Sequence, residues 1–174
     1  MLKSRLAGLV ALLLVAAPAA VSAADKPTDP QIAHIAYTAG LIDIKAAQLA
    51  LKISKNADVR AFAENMIADH TTVNDQALAL VKKLGVTPED NDTSKAIVKQ
   101  TDEAQAKLAT LTGAEFDKAY AANELAYHQM VNNALRDTLI PSASNAELKA
   151  LLETGLKIFE GHQEHADMLV KMLK

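Results

Sequence analysis

The feature that most constrains the fold of this chain is a helical repeat of apolar residues, which continues through four stretches of about 25 to 30 residues each. In the second stretch, apolar side chains recur every three or four residues between Val59 and Leu84, and His70 lies within the apolar stripe. Hydrophobic residues make up 50% of the chain but aromatic residues only 3%, so Ala and Leu must fill most of the core. This composition suits closely packed helices rather than a sheet, and the sequence predicts an all-α fold.

Capping and helix-breaking residues divide the chain into four long helices and one shorter one. Helix 1 is predicted over about residues 30–55, and helix 2 ends near Leu84. Asp29-Pro30 precedes helix 1, and Asn56 and Gly85 lie before and after helix 2. Thr93 or Ser94 is predicted to open helix 3, and Gly113 to stop it. A capping box over Thr112–Glu115 opens helix 4, which Pro141 ends, and a second box over Ser144–Glu147 opens helix 5.

The lengths of the connections predict how these helices are arranged. Helices 1 and 2 are joined by almost nothing, and helices 4 and 5 only by residues 141–143, so each pair is predicted to be an antiparallel hairpin. If helix 3 runs back along the bundle, helix 4 begins at the same end as helix 2. Residues 24–174 are therefore predicted to form a ferritin-like four-helix bundle, two hairpins with an additional crossover helix between them.

Residues 1–23 have the pattern of a secretory signal peptide. Lys3 and Arg5 precede an apolar run over residues 6–17 and the small-residue end Val21-Ser22-Ala23. The alternative is an uncleaved membrane anchor, but the run is shorter than the roughly 20 residues that a spanning helix requires. Because the chain has no Cys, it has no lipoprotein attachment site. The sequence predicts an exported protein, periplasmic or secreted, without an integral membrane span in the mature chain.

Charge and motifs exclude several classes of function. Loss of Lys3 and Arg5 with the signal peptide changes the formal net charge from −3 to −5, which argues against nucleic-acid binding. No glycine-rich phosphate loop is present. A nucleophilic enzyme is not favoured, because there is no Cys and no Ser in a strand-to-helix elbow. Metal-dependent redox or hydrolytic chemistry is the one enzymatic alternative that stays open. A non-enzymatic alternative is the binding of a protein or envelope partner on the outer helical faces.

Carboxylates and imidazoles coincide in height near the middle of the predicted helices. At 1.5 Å of rise per residue, Asp43 lies about 13 residues before the first hairpin turn and His70 about 14 after it. Glu124 and His162 lie about 18 residues before and 20 after the second turn, and His128 is one helical turn from Glu124. Such inward-pointing groups hold transition metals in bundle cores. The predicted ligands are Asp43, His70, His128 and His162, with Glu124 and His165 as secondary candidates.

The same residues also permit a function without a metal. A neutral buried His that is hydrogen-bonded to Asp or Tyr stabilises a core, whereas an unpaired buried polar group costs roughly 1–3 kcal/mol. Two hypotheses follow. The first is a metal-binding or stress-related bundle that holds one Zn, Cu or Fe ion, and the second is a non-catalytic structural or protein-interaction module of the cell envelope.

Four segments of the chain resemble the bacterial domain-of-unknown-function family DUF4142. The resemblance spans about residues 31–171 and implies an exported, ferritin-like helical bundle of unassigned biochemical role. It places His70, His128 and His162 on recurrent histidines of the family and Asp43 where the family usually has Glu, while Glu124 has no counterpart. The segments are Gly40-Leu41-Ile42-Asp43-Ile44, Phe62-Ala63 with Met66-Ile67-Ala68-Asp69-His70, Phe116-Asp117-Lys118-Ala119-Tyr120 with His128, and Phe159-Glu160-Gly161-His162.

The spacing of the histidines differs from that of di-iron ferritin-like proteins, which carry Glu-x-x-His on two helices. The residue three before His70 is Ile67, and the residue three before His128 is Leu125. A di-iron oxidase or ferroxidase is therefore disfavoured. Three imidazoles and one carboxylate suit a single Zn²⁺, Cu²⁺ or Fe²⁺ ion, since these ions accept nitrogen ligands readily.

Overall fold

A computed structural model describes residues 26–174, and the predicted signal peptide lies outside the described residues. The described part of the chain is all-α and forms five helices. They are α1 (Asp29–Ile53), α2 (Ala57–Leu84), α3 (Asp92–Leu108), α4 (Gly113–Ala134), which is continued by a π-helical segment (Leu135–Leu139) and a last turn (Ile140–Ser142), and α5 (Ala146–Met172). Within residues 26–174, no helix is both long and apolar enough to cross a membrane.

The hairpin between α1 and α2 has the predicted capping residues. The Asn56 side chain accepts hydrogen bonds from the backbone N–H groups of Asp58 and Val59, and Gly85 ends α2 with a φ of 64°. A left-handed φ of this kind is accessible to Gly without the steric cost that a Cβ would add. The boundaries of α2 predicted from the sequence are therefore confirmed.

Several of the predicted helix ends are wrong in detail. Asn91 rather than Thr93 or Ser94 caps α3, and α3 ends at Leu108, so Gly113 is the first residue of α4 and does not stop α3. Thr28 rather than Asp29 precedes α1, and the Asp29 carboxylate instead accepts hydrogen bonds from the backbone N–H groups of Ser144 and Asn145 and from the Ser144 hydroxyl. Asn145 therefore replaces Ser144 as the cap of α5. The Thr112 side chain makes no capping hydrogen bond at the start of α4. The differences at Asp29 and Ser144 have a tertiary cause. The Asp29 carboxylate accepts the hydrogen bonds of Ser144, so neither side chain caps its own helix.

Pro141 does not stop α4 where the sequence predicts. The N–H of Ile140 bonds to the carbonyl of Leu135, five residues back, in a π-helical turn. This wider turn accommodates the Pro141 ring, which would clash with a carbonyl in a regular α-helix, so the helix continues to Ser142.

The four long helices form a ring in which α1 contacts α2 and α4, and α5 contacts the same two helices. At one end of the bundle, Ser54 after α1 donates a hydrogen bond to Asp117 near the start of α4. At the other end, Lys83 of α2 pairs with Glu147 at the start of α5. Neighbours in the ring therefore run antiparallel, and α3, which packs on α1 and α4, returns the chain from one end to the other.

The buried apolar residues form two clusters, one towards each end of the bundle. We name the first the alanine-rich cluster; it comprises Ala46, Ala47, Ala50, Val59, Phe62, Ala63, Met66, Leu108, Phe116, Tyr120, Ala121, Ala166 and Leu169. We name the second the leucine-rich cluster; it comprises Ile32, Ile35, Leu135, Leu139, Leu148, Leu152 and Phe159. Between the two clusters, each of the four long helices contributes buried polar side chains.

Candidate metal-binding site

The buried polar side chains at mid-height form one layer, which we call the polar layer: Asp43 on α1, His70 on α2, Glu124 and His128 on α4, and His162 on α5. None of the five is more than 6% exposed. One nitrogen from each of the three histidines lies within 4.8 Å of the other two, and Asp43, Glu124 and His128 offer a second group with the same property. The structure therefore brings the four principal candidates and Glu124 together from all four long helices.

Asp43 lies at the centre of this layer. Its Oδ2 atom is 3.1 Å from Nε2 of His70 and 3.3 Å from Nε2 of His128. Neither contact has the alignment of a hydrogen bond, and all three of these atoms are buried without a hydrogen-bond partner. The first distance confirms that Asp43 and His70 lie at the same level.

The orientation of His128 is fixed by its own helix. Its Nδ1 atom lies 3.0 Å from the backbone carbonyl oxygen of Glu124, one turn earlier. Because a carbonyl can only accept a hydrogen bond, Nδ1 carries the proton, and Nε2 presents its lone pair to the layer.

The orientation of His162 is fixed from the neighbouring helix α2. Its Nε2 atom donates to Oδ2 of Asp69 over 2.9 Å, which leaves Nδ1 buried and unpartnered. Carboxylates commonly hold the second nitrogen of metal-binding histidines in this way. Asp69 itself is half exposed, so it can carry its negative charge at the edge of the layer.

The imidazole rings pack against one another and against one phenyl ring. The centroid of His162 is 5.3 Å from the centroids of both His70 and His128. Phe159 stacks on His70 at a centroid distance of 4.6 Å and an interplanar angle of 10°. This packing limits the freedom of the rings before anything binds.

The two buried carboxyl groups of the layer carry different charges. Burial, together with the negative charge of Asp43, raises the pKa of Glu124 well above its ordinary value and so favours its protonated form. Burial raises the pKa of Asp43 as well, but the adjacent His70 and His128 outweigh burial and lower it overall. Asp43 therefore supplies the one negative charge inside the layer.

Two histidines of the layer are held neutral. Burial lowers the pKa of His128, and it lowers the pKa of His162 to about 4 even though Asp69 favours the charged form. Neutral imidazole is the form that binds a metal ion, so these rings need not lose a proton first.

Nearby tyrosines contribute little to the layer. The Tyr127 hydroxyl donates to the carbonyl of Ala39 over 2.9 Å, and the Tyr120 hydroxyl is buried without a partner. Burial and the neighbouring Glu124 and Asp43 raise the pKa of both phenols, which therefore stay protonated.

One secondary candidate lies elsewhere, and the pairing of one partner with His162 was not predicted. His165 is half-buried and packs edge-on against Phe62 at 5.0 Å, outside both groups of candidate ligands. Asp69 adjoins His70 in the sequence, but its pairing with His162 was not predicted. Its role depends on α5 passing beside α2, which helical spacing within α2 does not reveal.

Comparison with known proteins identifies the family. The chain matches the family described as "Domain of unknown function (DUF4142)" over residues 14–169, and it therefore belongs to that family. Neither a curated protein nor a solved structure matches it. The family description names no activity, so the argument for function rests on the geometry of the polar layer.

Proposed function

We propose that this member of the DUF4142 family binds one transition-metal ion, Zn²⁺, Cu²⁺ or Fe²⁺, through Asp43, His70, His128 and His162. The observation that carries the proposal is two groups of buried ligand atoms that share His128, one from His70, His128 and His162 and the other from Asp43, Glu124 and His128. Most of these side chains have a buried atom without a hydrogen-bond partner. Unpaired buried polar groups cost roughly 1–3 kcal/mol each, and a bound cation would satisfy several of them at once.

Two of the distances within the layer, both made by Asp43, fit such an ion. Ligand atoms about 2.0–2.1 Å from a tetrahedral zinc lie about 3.3 Å from one another. The Oδ2 atom of Asp43 lies 3.1 and 3.3 Å from the two imidazole nitrogens beside it. Three nitrogens and a carboxylate oxygen are a donor set that Zn²⁺, Cu²⁺ and Fe²⁺ all accept.

The charge of the layer supports a divalent cation. Asp43 offsets one positive charge, and Glu124 beside it, whose pKa is raised by burial, can offset a second by releasing a proton. Metal binding should therefore be accompanied by proton release.

Two wider features of the proposal come from the chain as a whole. The two hairpins and the crossover α3 support a ferritin-like arrangement of the helices. The pattern of residues 1–23 supports export, so we place the metal-binding protein in the periplasm or outside the cell.

The test is the metal content and metal affinity of the mature chain, produced without a His tag. Elemental mass spectrometry should find close to one equivalent of metal, and calorimetry on chelator-treated protein should show one site. Asp43→Ala and His70→Ala should remove this binding, whereas Asp69→Ala, which frees His162, should weaken it about 10- to 100-fold.

His165→Ala is the matched control, because it removes an imidazole of the same helix that lies outside both ligand groups. It should keep the metal. A parent protein that contains no metal and shows no binding of Zn²⁺, Cu²⁺ or Fe²⁺ would overturn the proposal. The polar layer would then act as a hydrogen-bonding element of a structural or protein-interaction module.

A further inference from the structure

An internal cavity of about 250 Å³ adjoins the polar layer on the side of the leucine-rich cluster. Most of its wall is apolar and includes Ile35, Val73, Leu135 and Leu152. Thr93 at the start of α3 also lines it and is exposed, so the cavity reaches the surface there.

One end of the cavity is polar. Asp43, His70 and His128 all line it, and the carboxylate oxygens of Asp43 and both nitrogens of His70 have no hydrogen-bond partner. Other polar groups in the wall are engaged, since the Tyr127 hydroxyl donates to Ala39 and the Asn74 amide to the carbonyl of Tyr37. The free groups at this end are therefore the carboxylate oxygens of Asp43, which accept hydrogen bonds, and the imidazole of His70, which carries at least one N–H donor.

From this arrangement we propose that the cavity binds a neutral hydrophobic molecule with one hydroxyl group, such as a medium-chain aliphatic alcohol, with the hydroxyl at Asp43 and His70. A carboxylate end group is disfavoured because it has no hydrogen to donate to the unpartnered oxygens of Asp43. An apolar cavity of about 150 Å³ accommodates benzene, so this one has room for roughly ten non-hydrogen atoms. The proposal concerns the metal-free protein, because an ion bound by Asp43 and His70 would occupy the groups that receive the hydroxyl.

The test uses chelator-treated protein and the series of straight-chain alcohols from 1-hexanol to 1-dodecanol, with calorimetry as the readout. Affinity should increase about fourfold for each added methylene, reach a maximum near 1-nonanol, and then fall. Nonane and nonanoate, the controls for the end group, should each bind at least tenfold more weakly than 1-nonanol.

Variants of the wall locate the site. Leu152→Ala enlarges the cavity and should move the optimum to alcohols two or three carbons longer. Leu169→Ala, the same change in the alanine-rich cluster, should leave the optimum unchanged. Ala77 lies in the wall at a partly exposed position that tolerates a larger side chain, so Ala77→Leu should move the optimum to shorter alcohols.

Several outcomes would overturn the proposal: no saturable binding of any alcohol, affinity that keeps increasing with chain length, or an optimum that neither Leu152→Ala nor Ala77→Leu moves. Equal affinity for nonane and 1-nonanol would overturn the role of Asp43 and His70. Because the protein is metal-free in this experiment, its failure is distinct from failure of the metal proposal.

Discussion

The two apolar clusters differ in how aromatic rings fill the space between the helices. In the alanine-rich cluster, aromatic rings occupy the space beside the small residues: Phe116 stacks on Tyr120 at 5.8 Å, and Phe62 meets Tyr120 edge-on at 6.2 Å. The leucine-rich cluster has a single ring, Phe159, which is turned onto His70. Small residues bring helices close only where a larger neighbour fills the remaining space. One end of the bundle is thus filled by side chains, whereas a cavity adjoins the other.

The largest expected effect compares the two buried phenylalanines. Phe62→Ala should lower the free energy of unfolding by about 4–5 kcal/mol, because it opens a new cavity in a filled cluster. Phe159→Ala should cost about 3 kcal/mol, because its ring already borders empty space. Urea unfolding of the chelator-treated variants measures both, and equal losses would contradict the proposed difference between the clusters.

A second prediction concerns the pH dependence of the polar layer. His162 has a pKa of about 4 in the folded protein and about 6.5 when unfolded. Between these pH values the unfolded chain binds a proton that the folded protein does not, so stability falls as the pH is lowered from 6.5 to 4. The loss from His162 should reach roughly 3 kcal/mol.

The matched variant for this measurement is His162→Gln, without metal. The lowered pKa of His128 acts in the same direction as that of His162, and the raised pKa of Glu124 acts in the opposite one. Both are present in the parent and in the variant, so the difference between their pH profiles isolates His162. Parallel profiles would contradict the prediction.

A third prediction compares the contacts between hairpins at the two ends of the bundle. Ser54→Ala should cost about 1–3 kcal/mol, because it leaves the buried Asp117 carboxylate without its hydroxyl partner. Asp29→Ala, at the cavity end, should cost about 1 kcal/mol, since water can replace its bonds to Ser144 and Asn145. Thermal unfolding would show the order, and a larger loss for Asp29→Ala would reverse the comparison.

The smallest effects come from two helical glycines in the cavity wall. A Cβ on Gly155 would lie 3.4 Å from the Phe159 ring, an ordinary contact, so Gly155→Ala should stabilise the protein by about 1 kcal/mol through helix propensity. A Cβ on Gly40 would lie 2.4 Å from Oδ1 of the buried Asn74. Gly40→Ala should therefore be less stable than Gly155→Ala, and calorimetric melting would detect the difference.

Much of the fold could be predicted because it depends on local chemistry. Asn56 and Gly85 mark the ends of α2 through capping geometry that any helix of this sequence would adopt. The short connections restrict each hairpin to one orientation. Counting residues from the turns was enough to place Asp43 beside His70, because the rise of a helix is constant.

The remaining features depend on contacts between segments that are distant in sequence. Asp69 reaches His162 only because α2 and α5 are neighbours, and Asp29 reaches Ser144 only because α1 and α5 begin at the same end. The cavity depends on the distances between helices and on side-chain rotamers. The sequence shows that small residues are present but not which of them face empty space.

Because the polar layer takes side chains from every long helix, it also fixes their axial alignment. A stripe of alanines presents nearly the same surface after a shift of one helical turn, about 5.4 Å, so the alanines of this cluster discriminate only weakly between such shifts. A one-turn slip of α5 along α2 would separate His162 from Asp69 and leave both without a partner. The polar layer thus favours one axial alignment of the two hairpins, the one in which its side chains meet their partners.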